Sequence, residues 1–383
     1  MQSLNQGVPR LKAWPVVGII MMQSLLLLIH WFIFHTLVAF SGSLGAVQTQ
    51  ALRETLLVLA FSFVVAALLS FNFSNWLVVG IYRVAAIWLG FLNFFFVAAC
   101  TSWLAWFAFL LSPLPSSLPF LRPLIAATFF ALASLAAFYG LLNARWIRIR
   151  RVPVTLPNLP SSWRGRTALL ISDLHLGHVN GLVFSRRIAR IAADLHPDVV
   201  FLPGDVFDGT KTDPDRIVAP FRELSPPFGI YFSTGNHEEY GGAAQYAAAL
   251  ARAGIRVLAN EKAVVDGLQI MGVPYHDSTS PIRLRAILAG LQLDPGKASI
   301  LLNHVPNRLP IVEQAGVSLQ LSGHTHGGQI FPFSWLTRRV FGKFTYGLQR
   351  FDGLQVYTSS GVGTWGPPMR VGTCSEIVLL QFE

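Results

Sequence analysis

One stretch decides how this chain is organised: residues 321–329, which run Leu-Ser-Gly-His-Thr-His-Gly-Gly-Gln. The apolar run at 317–321 predicts a strand that ends at a turn. In a regular strand, residues i and i+2 point to the same face, so His324 and His326 are expected to reach one point in space. Glycines on both sides let the backbone bend tightly. Because imidazole is a common ligand of transition metals, the stretch predicts half of a metal site, with a surface accident as the alternative.

Polar residues of metal-binding type also follow four apolar runs upstream. Predicted strands at 167–172, 199–202, 230–233 and 299–302 lead into Asp173-Leu-His175, Gly204-Asp205-Val-Phe-Asp208, Gly235-Asn236-His237-Glu238 and Asn303-His304. Ligands in open α/β sheets gather beyond the carboxyl ends of the strands. Five strand ends that carry Asp, Asn or His therefore predict one shared site.

The composition is too apolar for one soluble globule, since 52% of the 383 residues are hydrophobic and only 13% are charged. The excess lies before residue 145, where the few charges leave four uncharged windows, each longer than the roughly 20 residues that cross a bilayer. We predict four transmembrane helices, near 14–40, 55–72, 84–111 and 123–143. A buried helical core is the alternative, but soluble helices carry a polar face and these segments do not.

The basic residues that flank these spans are distributed unequally. Seven would lie on one side of the membrane and two on the other: Arg10, Lys12, Arg83, Arg145, Arg148, Arg150 and Arg151 against Arg53 and Arg122. The positive-inside rule then predicts cytoplasmic termini and a cytoplasmic C-terminal domain. A re-entrant segment at the Asn72–Asn75 turn would make the span count odd and reverse the orientation. His30 and His35 are interpreted as helix-packing or interfacial residues, because no span offers an acidic partner.

The rest of the chain divides into a linker and one α/β domain. We predict a transmembrane region at 1–144, a basic, proline-containing juxtamembrane linker at 145–162, and a domain at 163–383 in which strands and helices alternate. The linker is a topogenic stop signal, a contact for anionic lipids, or both. Residues 1–152 carry nine basic and one acidic residue, a net charge of +8, while the remainder carries twenty and eighteen, a net of +2. The high isoelectric point thus belongs to the membrane flanks, and no nucleic-acid partner is expected.

Further strands of the α/β domain are predicted at 255–258, 268–273, 317–321, 354–358 and 376–382, and helices at 183–195, 214–224, 242–253 and 281–291.

The motifs as a set resemble a known family. In order, Asp-x-His, Gly-Asp-x-x-Asp, Gly-Asn-His-Glu, a single His and Gly-His-x-His resemble the calcineurin-like metallophosphoesterases, and the resemblance covers residues 167–383. The segments 327–329 and 359–368 are similar to a bacterial, membrane-anchored branch of the UDP-2,3-diacylglucosamine hydrolase type. The resemblance implies a four-layer α/β/β/α sandwich after the four transmembrane helices, and a metal-dependent phosphoesterase activity.

The resemblance also implies two metal ions that share one carboxylate. One ion would be held by Asp173, His175, Asp205 and His326, and the other by Asp205, Asn236, His304 and His324. Oxygen and imidazole ligands without thiolates suit Mn²⁺, which is expected first, or Fe or Zn²⁺. Two such ions activate a water and clamp phosphate oxygens. His237 is assigned to phosphate binding or leaving-group protonation, and Asp208, Arg338 and Arg339 to substrate contact or support of the site.

The segment 331–346, which follows the His pair, combines six aromatic residues with three cations. It is either a β-hairpin whose Phe side chains enter the core, or an amphipathic rim that meets membrane lipids. The predicted function is a membrane-tethered phosphohydrolase of the bacterial inner membrane. Its expected substrate is lipid-linked or nucleotide-linked, such as UDP-2,3-diacylglucosamine in lipid A synthesis. A generic phosphodiesterase or phosphatase and a catalytically silent scaffold are the alternatives.

Overall fold

The computed structural model describes residues 13–42, 44–112 and 120–383, which form two compact units. The first unit comprises the residues up to Leu69 together with Trp88–Leu135. The second comprises Ser70–Ile87 and Ala136–Glu383. Arg10 and Lys12, which contribute to the predicted orientation, lie outside the described residues.

Within the described residues, four helices are long and apolar enough to cross a membrane. They are α1 (Ala13–Ser41), α2 (Ala46–Ser70), α3 (Trp76–Leu110) and α4 (Leu121–Arg145). The prediction of four such helices is confirmed, although α2 and α3 begin several residues earlier than expected. Arg83 therefore lies inside α3 rather than before it.

Polar side chains inside the first unit are paired with one another. The His30 ring donates from Nδ1 to the Leu26 carbonyl oxygen at 2.7 Å and accepts from Trp88 Nε1 at 3.0 Å. Trp103 Nε1 donates to Thr36 Oγ1, also at 3.0 Å. Because a membrane interior offers no water, such groups must find partners within the protein. His30 is thus a helix-packing residue, as the sequence indicated.

The described part of the second unit contains two six-stranded mixed sheets. In spatial order, the first sheet consists of β1 (Arg148–Val154), β12 (Glu376–Phe382), β2 (Thr167–Leu170), β3 (Val199–Leu202), β4 (Ile230–Phe232) and β5 (Arg256–Val257). The second consists of β10 (Gly347–Phe351), β11 (Leu354–Thr358), β9 (Leu319–Ser322), β8 (Ser299–Leu302), β7 (Leu268–Gly272) and β6 (Glu261–Val265). The strands β2 to β5 are parallel, as are β7, β8, β9 and β11. Their carboxyl ends therefore share an edge within each sheet.

Helices connect the strands of this unit. They are α5 (Leu182–Asp194), α6 (Pro214–Val218), α7 (Asn236–Gly241), α8 (Ala243–Arg252), α9 (Tyr275–Thr279), α10 (Pro281–Gly290), α11 (Leu309–Gln314) and α12 (Phe333–Phe341). Short 3₁₀ turns lie at Ser161–Trp163, Ala219–Glu223, His326–Gly328 and Gly342–Thr345.

The side-chain alternation of β2 shows how the layers are held together. Leu170 lies in the core between the two sheets, which also contains Ile300 of β8. Its neighbour Leu169 points to the opposite face and packs in the core that contains Ile188 of α5. A third core lies outside the second sheet, under α10 and α11. Because successive strand residues face opposite sides, a strand that is apolar throughout can pack on both faces. The expected four-layer α/β/β/α sandwich is confirmed.

The sheet begins earlier in the chain than the sequence indicated. Residues 148–154, which we placed in the linker, form β1 and pair in parallel with β12 over their whole length. The strand lies at the sheet edge and carries Arg150, Arg151 and Pro153, residue types that edge strands tolerate because one side of the strand needs no partner. The basic and proline residues of this segment are typical of a linker. No local pattern pointed to the strand pairing, because the partner strand lies more than two hundred residues away.

Candidate metal centre

The seven predicted metal ligands converge beyond the carboxyl ends of five parallel strands. Asp173 and His175 follow β2, Asp205 follows β3, Asn236 follows β4, His304 follows β8, and His324 and His326 follow β9. Six of these side chains are buried, and His324 is partly buried. Both sheets of the sandwich therefore contribute to one polar cluster in an otherwise apolar interior.

The first group of ligands comprises Asp173, His175 and His326, each of which offers an atom within 4.8 Å of the others. The Nε2 atoms of His175 and His326 are 3.0 Å apart, and His326 Nε2 lies 3.4 Å from Asp173 Oδ1. Two ligand atoms bonded to one ion at about 2.1 Å and at a right angle are separated by about 3.0 Å. The spacing therefore fits a single shared cation.

The second group comprises Asp205, His304 and His324. His304 Nε2 is 3.1 Å from Asp205 Oδ2, and the Asn236 side-chain oxygen is 3.0 Å from His324 Nδ1. Asp205 Oδ2 also lies 3.8 Å from His175 Nε2, a member of the first group. The Asp205 carboxylate thus occupies the position of a ligand that bridges two ions.

The two histidines of the His-x-His stretch do not reach one point, contrary to the expectation from strand geometry. Strand β9 ends at Ser322, so His324 and His326 lie beyond the regular pleat, with φ angles of 68° and 49°. His324 joins the second group and His326 the first. The left-handed turn replaces the strand alternation and directs the two rings to different halves of the centre.

Backbone strain is concentrated at the ligands. Five of the seven have φ in the left-handed region: Asp173, His175, Asp205, His324 and His326. Residues other than glycine rarely adopt this conformation, which costs on the order of 1–3 kcal/mol each. Hydrogen bonds between the loops hold the strained residues, as when His175 N donates to the Asp205 carbonyl oxygen at 3.0 Å. Hydrogen bonds within the protein therefore hold the backbone that carries the predicted ligands.

Gly204 makes the close approach of the loops possible. Its φ is +115°, and a Cβ atom there would lie 2.7 Å from both the Gly235 backbone and His304 Nδ1. Any side chain would push apart the loops that carry Asp205, Asn236 and His304. The glycine of the Gly-Asp motif is thus a packing requirement of the centre.

Electrostatics prepares most of the rings to bind cations. Burial lowers the pKa of His175 and His326 well below the ordinary value, and burial lowers that of His324 to about 4. These rings are neutral at pH 7, which is the form that binds metals. For His304, burial opposes the charge, but the carboxylates of Asp205, Asp173 and Glu238 together outweigh it and raise the pKa to about 9. A cation bound by Asp205 would replace the proton that His304 carries beside it.

The donor set fits two divalent cations on a further ground. The buried His304 Nε2 lies 3.1 Å from Asp205 Oδ2, but among the described residues no group, Asp205 included, is in hydrogen-bond geometry with it. An unsatisfied buried polar atom costs about 1–3 kcal/mol, so a native fold needs a reason to keep one. A cation beside Asp205 supplies that reason, and the mixture of carboxylate, amide and imidazole ligands suits it.

His237 lies beside both groups with its ring orientation fixed. Its backbone N–H donates to Asp205 Oδ1 at 3.0 Å, and its Nδ1 lies 3.0 Å from the Asp208 carbonyl oxygen. Because a carbonyl only accepts, Nδ1 carries the proton and Nε2 is the nitrogen that can exchange one. His237 also has an atom within 4.8 Å of ligand atoms of His175 and Asp205. Geometry alone therefore allows it either role, ligand or proton donor.

Asp208 supports the centre through its backbone rather than its carboxylate. Its Oδ1 accepts from Thr210 N at 2.7 Å and from Thr210 Oγ1 at 2.6 Å, while its carbonyl oxygen orients His237. Burial raises the pKa of the Asp208 carboxyl to about 6.

Arg338 and Arg339 lie on α12 with exposed side chains. Of two further histidines outside the predicted site, His276 is exposed and His178 is buried.

Glu238 ends the Gly-Asn-His-Glu motif, and the sequence indicated no role for it. Its buried carboxylate accepts three backbone N–H groups, from Asp205 at 3.0 Å, Phe207 at 2.9 Å and Gly235 at 2.8 Å. It thereby joins the loop after β3 to the loop after β4. Burial raises the pKa of Glu238 to about 7, with the nearby Asp205 carboxylate adding to the effect. The signal in the sequence was an acidic residue directly after two predicted functional residues.

Arg370 was missed altogether. Its guanidinium is fully buried and donates to the carbonyl oxygens of Gly363 at 2.6 Å and Ser360 at 2.7 Å. It also lies 3.3 Å from both the carbonyl oxygen and Nδ1 of His326. Burial lowers the pKa of Arg370 to about 10, so it stays charged at pH 7. The cation behind the ring favours neutral, metal-binding His326.

The backbone of Arg370 is in turn bonded to the end of α4. Its N–H donates to the Gly140 carbonyl oxygen at 3.0 Å, and its carbonyl accepts from Asn143 Nδ2 at 2.9 Å. Asn143 Nδ2 also donates to the Thr373 carbonyl oxygen at 2.8 Å. The last turns of α4 therefore belong to the structure that holds His326 in place.

Comparison with known proteins agrees with this architecture. A family model described as calcineurin-like phosphoesterase matches residues 166–328. An uncharacterized metallophosphoesterase of Aquifex aeolicus is 31% identical over 258 residues, which make up 66% of this chain and 98% of that protein. An uncharacterized metallophosphoesterase of Campylobacter jejuni is 32% identical over 242 residues, 61% of this chain and 63% of that protein. A Danio rerio protein named as a transmembrane protein with metallophosphoesterase domain is 32% identical over 265 residues, 64% of this chain and 60% of that protein.

A four-layer sandwich with carboxylate, amide and imidazole ligands at its strand ends defines the class of metal-binding phosphoesterase folds. The chain belongs to the calcineurin-like metallophosphoesterase family. It spans less than two thirds of the Campylobacter and Danio relatives, whereas it covers nearly all of the Aquifex protein. The four long apolar helices within its described residues associate it with membranes, and the name of the Danio relative also says that that protein is a transmembrane protein.

Proposed function

We propose that this protein is a membrane-anchored hydrolase that uses two divalent cations to cleave a phosphoester or phosphoanhydride bond. The observation that carries the proposal is the convergence of the predicted ligands in two groups, one at His175 and one at Asp205, which a third group of His175, Asp205 and His237 connects. A silent scaffold needs no strained ligand loops and no oriented histidine beside them. Selection for catalysis accounts for both features.

The protein's own groups divide the work as follows. When bound, divalent cations supply Lewis acidity toward phosphate oxygens and activate water, Mn²⁺ being the first ion to test. Asp205 bridges the two ligand groups and keeps them at a fixed separation. Glu238 and Arg370 hold the loops that carry these ligands. His237 is oriented by Asp208, so that Nε2 can hold a proton for the leaving-group oxygen.

We propose a lipid-linked or nucleotide-linked phosphate as the substrate class, with the pyrophosphate of UDP-2,3-diacylglucosamine in lipid A synthesis as the first compound to test. The membrane helices support this choice, because they keep the centre close to lipid-borne substrates. A water-soluble substrate gains little from such tethering.

The test is hydrolysis by the purified full-length protein after chelation and reloading with Mn²⁺, Zn²⁺ or Fe²⁺. Bis(p-nitrophenyl) phosphate, p-nitrophenyl phosphate and UDP-2,3-diacylglucosamine cover diester, monoester and lipid-linked pyrophosphate. We expect Mn²⁺-dependent hydrolysis that Asp205→Asn abolishes. Protein that binds two ions and cleaves none of the three substrates would favour the scaffold alternative.

We further propose that the phosphoesterase domain lies in the cytoplasm of a bacterial cell, at the inner membrane. The support is the seven-to-two distribution of basic residues and the even number of apolar helices. A phosphatase reporter that works only after export, fused behind Glu383, should stay inactive, while a cytoplasmic fluorescent reporter at the same position should be bright. The opposite pattern would overturn the orientation and exclude a cytoplasmic nucleotide-linked substrate.

A further inference from the structure

The segment 331–346 is not the β-hairpin that the sequence allowed. It forms α12 and a following 3₁₀ turn, and in the described structure none of the residues of α12 is buried. The half-buried residues Ser334, Thr337 and Phe341 lie on one side of the helix. Phe333, Leu336 and Val340 lie on a neighbouring face, at helical spacing, and more than half of each side chain is exposed. The helix thus turns Ser334, Thr337 and Phe341 toward the domain and leaves a face of large apolar side chains exposed.

The outward face extends beyond the helix. Phe331 and Trp335 are 51% and 60% exposed, which makes five large apolar side chains within ten residues. Single exposed apolar residues are ordinary, whereas a contiguous group of them marks an interaction surface. We call Phe331, Phe333, Trp335, Leu336 and Val340 the α12 surface.

Cations border the α12 surface and indicate what covers it. Arg338, Arg339 and Lys343 lie in the same segment, and the sequence has no acidic residue between Glu313 and Asp352. The Arg339 guanidinium stacks on the Trp335 ring at 4.8 Å. Apolar side chains inserted among acyl chains, with Trp and Arg at the depth of the phosphates, are the pattern of an interfacial helix. The charge complements anionic lipid headgroups.

The α12 surface is joined to the metal centre. The Phe341 ring packs against the ring of the metal ligand His324, with centroids 6.2 Å apart. Thr325, between the two histidines, donates from Oγ1 to the Thr345 carbonyl oxygen at 2.8 Å. Phe341 therefore belongs to the site and not to the outward face, although the sequence of segment 331–346 allowed either position for it. Any surface that α12 meets is also brought close to the metal ligands.

We propose that α12 lies in the interfacial layer of an anionic bilayer and presents the metal centre to phosphates at the lipid surface. The membrane helices keep the domain within reach of that layer. Docking itself does not depend on the proposed function, whereas loading of a lipid-linked substrate rests on it. Two separate measurements therefore test the two parts.

Docking is tested with the full-length protein in liposomes of phosphatidylcholine and phosphatidylglycerol. Cys100 and Cys374 are first replaced by alanine, so that a single introduced cysteine carries an environment-sensitive fluorophore. Val340→Cys reports on the α12 surface, and Val264→Cys in β6 is the matched control, since the two valines are 68% and 59% exposed. We expect lipids brominated in their acyl chains to quench the label at 340 and to leave the label at 264 unchanged.

Two outcomes would overturn docking. If iodide in the water quenches the label at 340 and brominated lipid does not, residue 340 is exposed to water and not inserted in the bilayer. A label at 340 that neither quencher reaches is covered by protein, such as a second copy of this chain.

The role of charge has its own control. Arg338→Gln with Arg339→Gln should shift the equilibrium away from the bilayer by about 30-fold, since two surface cations are removed. Lipid quenching at 340 should fall accordingly in phosphatidylglycerol-containing liposomes. Arg256→Gln with Arg285→Gln removes two exposed cations elsewhere on the domain and should leave quenching unchanged. Equal quenching in both double variants would overturn the electrostatic part of the proposal.

Substrate loading is tested with Trp335→Ser and Leu336→Ser combined. We expect this variant to lose most of its rate on UDP-2,3-diacylglucosamine in phosphatidylglycerol liposomes and to keep its rate on bis(p-nitrophenyl) phosphate. Equal losses on both substrates would show that the two residues support the centre itself, which would overturn loading. If the unmodified protein cleaves neither substrate, the proposed function fails, while the quenching result still decides docking.

Discussion

The metal centre and the α12 surface are neighbours in the chain, but the fold holds them in opposite ways. In the centre, loops from both sheets fix one another, as when Asp173 Oδ1 accepts from His324 N at 2.9 Å. The α12 surface is held from one side only: none of the residues of α12 is buried, and its large apolar side chains stay more than half exposed in the described structure. The contacts of the metal centre thus lie within the chain, whereas the proposed contact of the α12 surface is with a bilayer.

This contrast has a measurable consequence. Changes in the metal centre should impair every substrate equally, because all substrates use the same ligands. Changes on the α12 surface should impair only substrates that arrive from a lipid surface. Variants of the centre whose losses depend on the substrate would contradict the division.

The largest effect is expected for Asp205→Asn. The carboxylate lies between the two ligand groups, so its loss disturbs both ions and removes the charge that His304 faces. Activity should fall by more than the roughly 10²–10⁴-fold that loss of one acid–base group costs, on small and lipid-linked substrates alike. Elemental analysis should show loss of metal. A variant that keeps both ions and loses little activity would show that Asp205 does not bridge.

His237→Ala should cut turnover by about 10²–10⁴-fold and leave metal content intact, because the residue is assigned to proton transfer or phosphate binding. His276→Ala is a matched control, since that ring is exposed and lies outside the ligand groups. His237 also lies within ligand distance of His175 and Asp205. Loss of metal as complete as in Asp205→Asn would therefore make it a ligand.

What the sequence predicted well was local. Strands β3 and β8 have the predicted bounds, because each is a short, continuous apolar run that ends at a polar loop. The motifs at those ends predicted side chains that the structure brings together, for the same reason. Strand β1 and Arg370 escaped prediction, because their partners lie far away in the chain: β12 for the strand, and His326 and α4 for the arginine. The composition of the α12 segment fitted a hairpin as well as a rim, and only packing shows which residues face outward.

A smaller effect is expected for Arg370→Lys, which tests how far the centre's rigidity extends. Lysine keeps the charge but cannot donate simultaneously to Ser360, Gly363 and His326 as the guanidinium does. Residues that orient metal ligands typically contribute about 10–100-fold to metal affinity or activity. We expect a loss in that range, visible in metal titration as well as in rate. Arg252→Lys, at the exposed ion pair with Asp215, is the control and should change neither.

The smallest effect is expected for His178, a buried histidine outside the ligand groups. It tests how burial changes the pKa of a histidine where no metal ion is expected. Burial lowers its pKa, while its bond to the Lys211 carbonyl oxygen at 3.1 Å partly opposes the shift and the charge of Arg83 adds to it. As the pH falls through the ordinary value of about 6.5, the unfolded chain therefore takes up a proton that the folded chain refuses. The stability of the folded state must therefore fall as the pH falls, down to the lowered pKa of His178 in the folded state.

His178→Gln can still donate to Lys211 but cannot titrate, so its unfolding temperature in detergent should fall less between pH 7.5 and 5 than that of the unmodified protein. The metal ligands titrate equally in both proteins, so their contribution cancels in the difference. Parallel curves for the two proteins would show that the His178 ring takes up its proton as readily in the folded chain as in the unfolded one, and that burial shifts histidines only inside the metal centre.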